Sequence, residues 1–316
     1  MPATCRRPVT HLECRPHCSA VRFLPATISS KSMTIDYDAL LATSVSDQAF
    51  EYTEKDTMLY AIGVGFGSDP GNHRELPFVF EMRALRTVPS MASMLLSADL
   101  LDDCGWDRGK VLHGEQRLEL YRPLPAAAKL LANHRVVAVY DLGADLGAKI
   151  LIESEARLAR DDTVLFSLGS TLIARGDGDF GGPRGAGPVP HKLPKREPDL
   201  SCDLATRPDQ ALIFRLSGDF NPLHADPAYA RRAGFNAPIL HGRCTYGIAC
   251  HAILKTICDY DFTLVAGFDV RFSSPVYPGD IITTEMWQDR NIVSFRCRVN
   301  ARDALVIDNG KCTLVG

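Results

Sequence analysis

The sequence lacks several features that would assign it to a specialised class of protein. Among its 316 residues there is no run of about 18 apolar residues, the length that a membrane-spanning helix needs, because charges, glycine or proline interrupt every hydrophobic stretch. The formal net charge is only -3, and no stripe of lysine and arginine suggests a nucleic-acid partner. The composition, 46% hydrophobic and 23% charged, is that of an ordinary globular protein. We therefore expect neither nucleic acid nor a membrane as a partner, but a small molecule or another protein.

The chain also lacks the marks of a secreted disulfide scaffold or of a zinc domain. Its ten cysteines are spread over a long sequence, and no signal peptide with a continuous apolar segment is present. We expect reduced cysteines, with Cys244, Cys250 and Cys258 as small core residues of a helix. The metal-like arrangement HLECRPHC at residues 11–18 has no matching second pair of ligands. We therefore predict no metal site.

Two segments of biased composition flank or divide the predicted folded units. Residues 1–34 are basic and rich in Ser, Thr and Pro, so they predict either a targeting leader, such as a mitochondrial one, or a disordered extension. Residues 176–199 are dense in Gly and Pro and predict a linker without helix or strand. The C-terminal residues 313–316 do not form a peroxisomal signal of the Ser-Lys-Leu type. The predicted folded units are residues 35–175 and 200–316.

The two units show the same order of predicted elements. In the second unit, segments rich in Val, Ile, Thr and Phe predict four consecutive antiparallel strands, at 265–274, 280–288, 291–300 and 304–315. In the first unit, strands are predicted at 115–122, 135–141, 149–158 and 163–174. A helix is predicted before each set, at 89–101 and at 242–257, where apolar residues recur every three or four positions. We therefore predict a duplicated α+β unit, in which one helix is wrapped by an antiparallel sheet.

Residues 217–247 carry the groups best suited to catalysis. Asp219, Asn221 and His224 lie within six positions of one another. A carboxylate held beside an imidazole can move a proton and activate water near neutral pH. Asn221 can donate and accept hydrogen bonds at once, so it could orient a water or a substrate carbonyl. A structural interpretation, in which Asp219 and Asn221 only cap a turn, stays open at this point.

The same segment ends at His241 and Gly242, where the long predicted helix begins. The first backbone N–H groups of a helix have no intrahelical partner, and the helix dipole is positive there. Glycine leaves such an amide accessible, so it can stabilise the negative oxygen of a thioester enolate or tetrahedral intermediate. Gly242 could equally mark a tight turn, and we expect a structural role for His241.

Residues 217–247 resemble the signature of the MaoC-like (R)-specific enoyl-CoA hydratases, the family of eukaryotic 2-enoyl-CoA hydratase 2. Residues 52–65, 112–125 and 271–280 resemble further blocks of this family, so the resemblance covers about residues 35–316. It implies a double hot-dog fold, in which two antiparallel sheets each wrap around a central helix and the first unit accommodates the acyl chain. It implies hydration of trans-2-enoyl-CoA to (3R)-3-hydroxyacyl-CoA in fatty acid β-oxidation, at one site per chain.

The resemblance also implies roles for residues of this sequence. Asp219 and His224 would be the catalytic pair, Asn221 would assist them, and the Gly242 amide would hold the thioester oxygen. No cofactor is implied, because the CoA thioester is the substrate. Family members are peroxisomal, and hot-dog proteins commonly pair as dimers, so we expect a homodimer. Contacts with the substrate would fall on His113, Gly114, Phe220, Pro222, Leu223 and Phe272.

This sequence departs from the family pattern at two places. The family has an aliphatic residue after His-Gly, whereas this chain has Arg243, which we expect to face solvent; the alternative is a contact with a CoA phosphate. Where relatives place a lysine near the ligand, this chain has DLGAD at residues 141–145, and Lys149 is the candidate substitute.

Two other functions stay open. A hot-dog acyl-CoA thioesterase would direct the activated water at the thioester carbonyl instead of C3. A non-catalytic acyl-CoA binding module would keep the fold, but it would not need the paired acid and base.

Overall fold

The structure, a computed structural model, describes residues 35–96, 110–185 and 187–316. The predicted leader at 1–34, the metal-like segment at 11–18 and the end of the helix predicted at 89–101 lie outside the described residues. Within them the chain forms ten strands and seven α-helices. The strands are β1 (Ser44–Tyr52), β2 (Val111–Leu120), β3 (Ala128–Asp141), β4 (Ala148–Leu158), β5 (Val164–Ala174), β6 (Leu200–Ala205), β7 (Val265–Phe272), β8 (Ile281–Asp289), β9 (Ile292–Val299) and β10 (Ala304–Leu314). The helices are α1 (Tyr37–Leu41), α2 (Glu54–Gly63), α3 (Leu76–Val79), α4 (Ala92–Leu95), α5 (Gln210–Phe214), α6 (Pro227–Arg232) and α7 (Gly242–Thr256).

The strands form a single antiparallel sheet in the order β1-β3-β4-β5-β2-β7-β10-β9-β8-β6. From the edge to the centre, the first half has the order β1-β3-β4-β5-β2 and the second half has the order β6-β8-β9-β10-β7. The five strands of each half are thus arranged in the same way, so one topology occurs twice. At the junction, Glu115 lies opposite Arg271 and Gln116 lies opposite Val270. The predicted double hot-dog is confirmed, and its two halves are continuous through one pair of strands.

Helix α7 is the buried element around which the second half is built. Every residue from Cys244 to Leu254 is buried, so the helix is enclosed beyond the one face that the apolar spacing predicts. The Tyr246 hydroxyl donates to the Phe268 carbonyl on β7 at 2.8 Å. Burial of each large aliphatic side chain of this helix contributes roughly 1.5–3 kcal/mol of hydrophobic stabilisation. The predicted bounds, 242–257, agree with the observed helix to within one residue.

The first half has a much shorter counterpart within the described residues. Pro89–Met91 form a 3-10 turn that continues into α4, and residues 97–109 are not described. Helix α2 packs against α7: the Cys244 thiol lies 3.3 Å from the Gly63 carbonyl, and the Val64 carbonyl lies 3.2 Å from His251 Nδ1. The start of α7 is therefore held by a helix from the first half of the sequence.

The eight predicted strands are confirmed with small changes in length, although β3 begins seven residues before its predicted start at 135. The pattern does not predict β1 and β6, which are the two edges of the sheet. Most residues of β1 are exposed, so its sequence carries little alternation. Residues 176–185 and 187–199, the described part of the predicted linker, contain no helix or strand.

Six cysteines fall within the described residues, and all six are buried and free. Cys244 and Cys250 lie on α7 as predicted, and Cys258 follows its end. No helix in the described ranges combines the length and the apolar character needed to cross a bilayer.

Candidate active site

The segment that precedes α7 folds into short turns that bring distant polar groups together. Asn221 caps the 3-10 turn Pro222–His224, because its side-chain oxygen accepts from the Leu223 amide at 3.0 Å. Helix α6 then reverses the chain, and the Leu240 amide donates to the Val276 carbonyl at 2.7 Å. The start of α7 is thereby returned to the side chains of residues 219–224.

Asp219, His224 and His241 form a compact cluster. One carboxylate oxygen and one nitrogen of each ring lie within 4.8 Å of one another. The two imidazoles stack with their centroids 3.6 Å apart, and His241 is only 1% exposed. The structure thus brings the predicted catalytic pair together. It also adds His241, for which only a structural role was expected.

Main-chain carbonyls assign the tautomers of both histidines. A carbonyl oxygen can only accept, so His224 Nδ1 donates to Ile239 at 2.9 Å and leaves the Nε2 lone pair available. His241 Nε2 donates in the same way to the main-chain carbonyl of Asp219 at 3.1 Å. His241 Nδ1 has no hydrogen-bond partner among the described residues. Two ring nitrogens can therefore accept a proton beside the Asp219 carboxylate.

The electrostatic surroundings favour an ionised carboxylate beside neutral imidazoles. Burial raises the pKa of Asp219, but attraction to Arg243 and to the protonated forms of His241 and His224 outweighs burial and holds this pKa below its ordinary value. Burial lowers the pKa of His224, against the opposing effects of its bond to Ile239 and of Asp219. Burial and the neighbouring His224 lower the pKa of His241 to about 3. At neutral pH the cluster can accept protons.

The cluster opens into a cavity of about 520 Å³ whose wall comes from both halves of the sheet. His113 on β2 and Phe272 on β7 face each other across the junction, with ring centroids 5.1 Å apart. A Cβ at Gly242 would lie 3.4 Å from the Phe272 ring, so glycine keeps the first amide of α7 open to the cavity. The predicted site residues that line this cavity are Asp219, His224, Asn221, Gly242, His113, Leu223, Phe272 and Arg243.

Four residues predicted to contact the substrate are not among the described residues that line the cavity: Gly114, Lys149, Phe220 and Pro222. Phe220 is 59% exposed, and the Arg215 guanidinium lies 5.0 Å from its ring centroid. Lys149 Nζ lies 3.7 Å from a carboxylate oxygen of Glu115, and both side chains are mostly buried. A lysine so engaged gives no support to a substrate contact.

Arg243 does not face solvent, and that expectation was wrong. Its side chain is half-buried and lines the cavity, with Nη1 4.0 Å from the Met94 sulfur. The physical reason is its position in the first turn of α7, which is enclosed between the two halves. Hydrophobicity patterns place an arginine at the surface, so no sequence signal indicated its burial.

By distance, Asp219, His224 and His241 could also hold a metal ion, and this donor set suits several transition metals. A metal would use the same lone pairs that accept protons, so coordination and proton transfer at this cluster exclude each other.

Comparison with known proteins shows to what the chain is related. Residues 190–309 match the model of the "MaoC like domain", and residues 50–176 match that of the "MFE-2 hydratase 2 N-terminal domain". The chain is 37% identical over 284 residues to "Enoyl-CoA hydratase ChsH3" of Mycobacterium tuberculosis, covering 88% of this chain and 98% of that protein. It is 36% identical over 291 residues to "Enoyl-CoA hydratase 2, peroxisomal" of Arabidopsis thaliana, covering 85% and 93%.

The fold is also similar to solved structures of MaoC-like and multifunctional enzyme type 2 proteins. A MaoC-like dehydratase from Phytophthora capsici has a TM-score of 0.77 and 30% identity, over 89% of this chain and 98% of that one. Full-length peroxisomal multifunctional enzyme type 2 from Drosophila melanogaster has a TM-score of 0.76 and 34% identity, over 86% of this chain and 48% of that one. The two family models and the relatives named as hydratases or dehydratases show a hydro-lyase of the MaoC-like class. Within that class, the chain belongs to the enoyl-CoA hydratase 2 family, as its sequence resemblance predicted.

Proposed function

We propose that this protein adds water across the C2–C3 double bond of trans-2-enoyl-CoA to give (3R)-3-hydroxyacyl-CoA, and catalyses the reverse dehydration, in fatty acid oxidation or related acyl-CoA metabolism. The observation that carries the proposal is the joint exposure of Asp219, His224 and the Gly242 amide to one cavity. A paired acid and base, together with an oxyanion donor, are the groups that this reaction needs. The named enoyl-CoA hydratases among the relatives support it.

The geometry divides the work among these groups. Asp219 and the His224 lone pair take a proton from water while its oxygen bonds to C3. The electron pair of the double bond moves toward the thioester carbonyl, and the Gly242 amide stabilises the resulting enolate oxygen. The protonated member of the pair then delivers a proton to C2. One hydroxyl and one hydrogen are added, and the enzyme returns to its starting state.

Incubation with crotonyl-CoA separates hydration from the two alternatives. Hydration removes the conjugated enoyl absorbance without releasing thiol, and chiral analysis of the product should give the 3R alcohol. Release of free thiol would show a thioesterase instead. An unchanged spectrum with every acyl length would show a non-catalytic binder, and an S product would contradict the proposed face of attack.

We further propose a homodimer that acts in peroxisomes without a metal or redox cofactor. Exposed edge strands such as β6, with Leu200 43% exposed, offer surfaces for pairing. The peroxisomal relatives support the compartment. Hydration is redox-neutral, and the chain itself carries an acid, a base and an oxyanion donor. Sedimentation equilibrium measures the oligomeric state, and organelle fractionation measures the compartment.

A further inference from the structure

A second cavity, of about 270 Å³, adjoins the catalytic one. Among the described residues Gly218, the neighbour of Asp219, lines both cavities. The wall of the second cavity is mainly apolar, through Phe50, Tyr60, Met91, Met94, Leu95 and Leu216, and it also includes the acidic residues Glu51 and Asp56. An apolar chain that extended past the proton-transfer groups on this side would enter this space, because methylene groups gain free energy on leaving water.

Arg243 and Met94 meet at the boundary between these two spaces. Arg243 lines the catalytic cavity, Met94 lines the second, and Nη1 lies 4.0 Å from the sulfur. The guanidinium charge acts on both sides: it helps to hold the pKa of Asp219 down, and it opposes the rise that burial causes in the pKa of Tyr60. The cation therefore lies on the catalytic-cavity side of this boundary, next to a wall residue of the second cavity.

A guanidinium at this boundary disfavours an apolar chain. Within the described ranges, no carboxylate lies within ion-pair distance of Arg243. Its guanidinium is therefore stabilised by water in the cavity, which accepts hydrogen bonds from the N–H groups. Methylene groups in contact with it would displace that water and offer no hydrogen bond in return. An aliphatic side chain at this position would carry no such cost.

We propose that Arg243 is a specificity residue that restricts the protein to enoyl-CoA substrates whose acyl chain ends within the catalytic cavity. It does so by closing the way into the second, apolar cavity. This inference rests on the hydratase function proposed above.

The kinetic test compares crotonyl-CoA with trans-2-decenoyl-CoA in three proteins. The unmodified protein should show at least a tenfold higher kcat/KM for crotonyl-CoA, Arg243→Leu should reduce that preference at least tenfold, and Arg243→Lys, which keeps the cation, should retain it. A preference of the unmodified protein for the decenoyl thioester, or the same preference in Arg243→Leu, would overturn the inference. If Arg243→Leu does not fold, Arg243→Gln replaces it under the same criteria.

A binding test separates failure of this inference from failure of the hydratase proposal. Butyryl-CoA and decanoyl-CoA are saturated, so calorimetry measures their affinities without a reaction. Arg243→Leu should improve binding of decanoyl-CoA relative to butyryl-CoA at least tenfold. This shift without hydration of either enoyl thioester would refute the hydratase function and retain the selectivity. Hydration without the shift would refute the role of Arg243.

Discussion

The imidazole rings of His224 and His241 lie face to face, with their centroids 3.6 Å apart and their planes inclined by 28°. Protonating both of these closely stacked, buried rings would place two positive charges side by side, which has a high free-energy cost. Protonation of either one therefore opposes protonation of the other, and the pair is held in the form that accepts protons.

The pH dependence of hydration should reflect this. Because burial lowers the pKa of His224, the ring stays neutral below the ordinary histidine pKa of about 6.5. The lowered pKa of Asp219 keeps the carboxylate ionised over the same range. We expect kcat/KM for crotonyl-CoA to be level from pH 8 to 6.5 and to fall only at lower pH, as His224 takes up its proton. Half of the activity lost at or above pH 6.5, with the fold intact by circular dichroism, would contradict this.

Removal of either catalytic group should abolish most of the activity. Asp219→Asn and His224→Gln should each lower kcat/KM at least a hundredfold, which is the contribution of a positioned acid or base. Asp226→Asn is the matched control, because Asp226 is exposed, caps α6 and asparagine caps equally well. Activity near that of the unmodified protein in either catalytic variant would remove the residue from the mechanism.

Two glycines on α7 should respond differently to alanine. A Cβ at Gly247 would lie 2.4 Å from the Val64 side chain, so Gly247→Ala should lower the free energy of unfolding by about 2 kcal/mol through overpacking. A Cβ at Gly242 meets Phe272 at 3.4 Å, an ordinary contact. Gly242→Ala should therefore keep the free energy of unfolding of the unmodified protein, as measured in urea. Its kcat/KM should fall, because a methyl group enters the oxyanion site. Equal effects of the two changes on stability would contradict this assignment.

Glu75 should be a stability residue. It is 3% exposed and accepts hydrogen bonds from His251 at 3.0 Å and from the Tyr260 hydroxyl at 2.8 Å. Glu75→Ala leaves these buried groups without their acceptor, and should cost about 3 kcal/mol in urea unfolding. The exposed Glu81 provides the control, since Glu81→Ala should change stability little. A small effect at Glu75 would mean that water replaces the carboxylate.

Chelation should leave hydration unchanged. Asp219 and His224 transfer protons without a metal in the proposed mechanism, so dialysis against EDTA should not alter kcat/KM for crotonyl-CoA. Added zinc should inhibit, because it competes with protons for the same lone pairs. Loss of activity on dialysis that zinc restores would assign the cluster to a metal.

Local patterns predicted the elements that bury most of their apolar side chains. Helix α7 and strands β7 to β10 follow from their apolar spacing. The edge strands β1 and β6 bury few side chains, so they carry too little alternation to be predicted.

Within the site, Asp219 and His224 are five positions apart, and their chemistry is visible in the sequence. The stack of His241 on His224 depends on a chain reversal through α6, and the burial of Arg243 depends on the packing of the two halves. Spacing along the chain encodes neither.

The β2–β7 junction places the same frame on both sides of the cavity, but only the second half carries the Asp-x-Asn-Pro-x-His sequence. Selection can therefore act on the first copy without changing the proton-transfer residues themselves. Substitutions in the first copy reshape the wall around His113 while the proton-transfer groups stay untouched. Because the proton-transfer groups lie only in the second copy, the part of the wall that the first copy contributes can vary without replacing any of them.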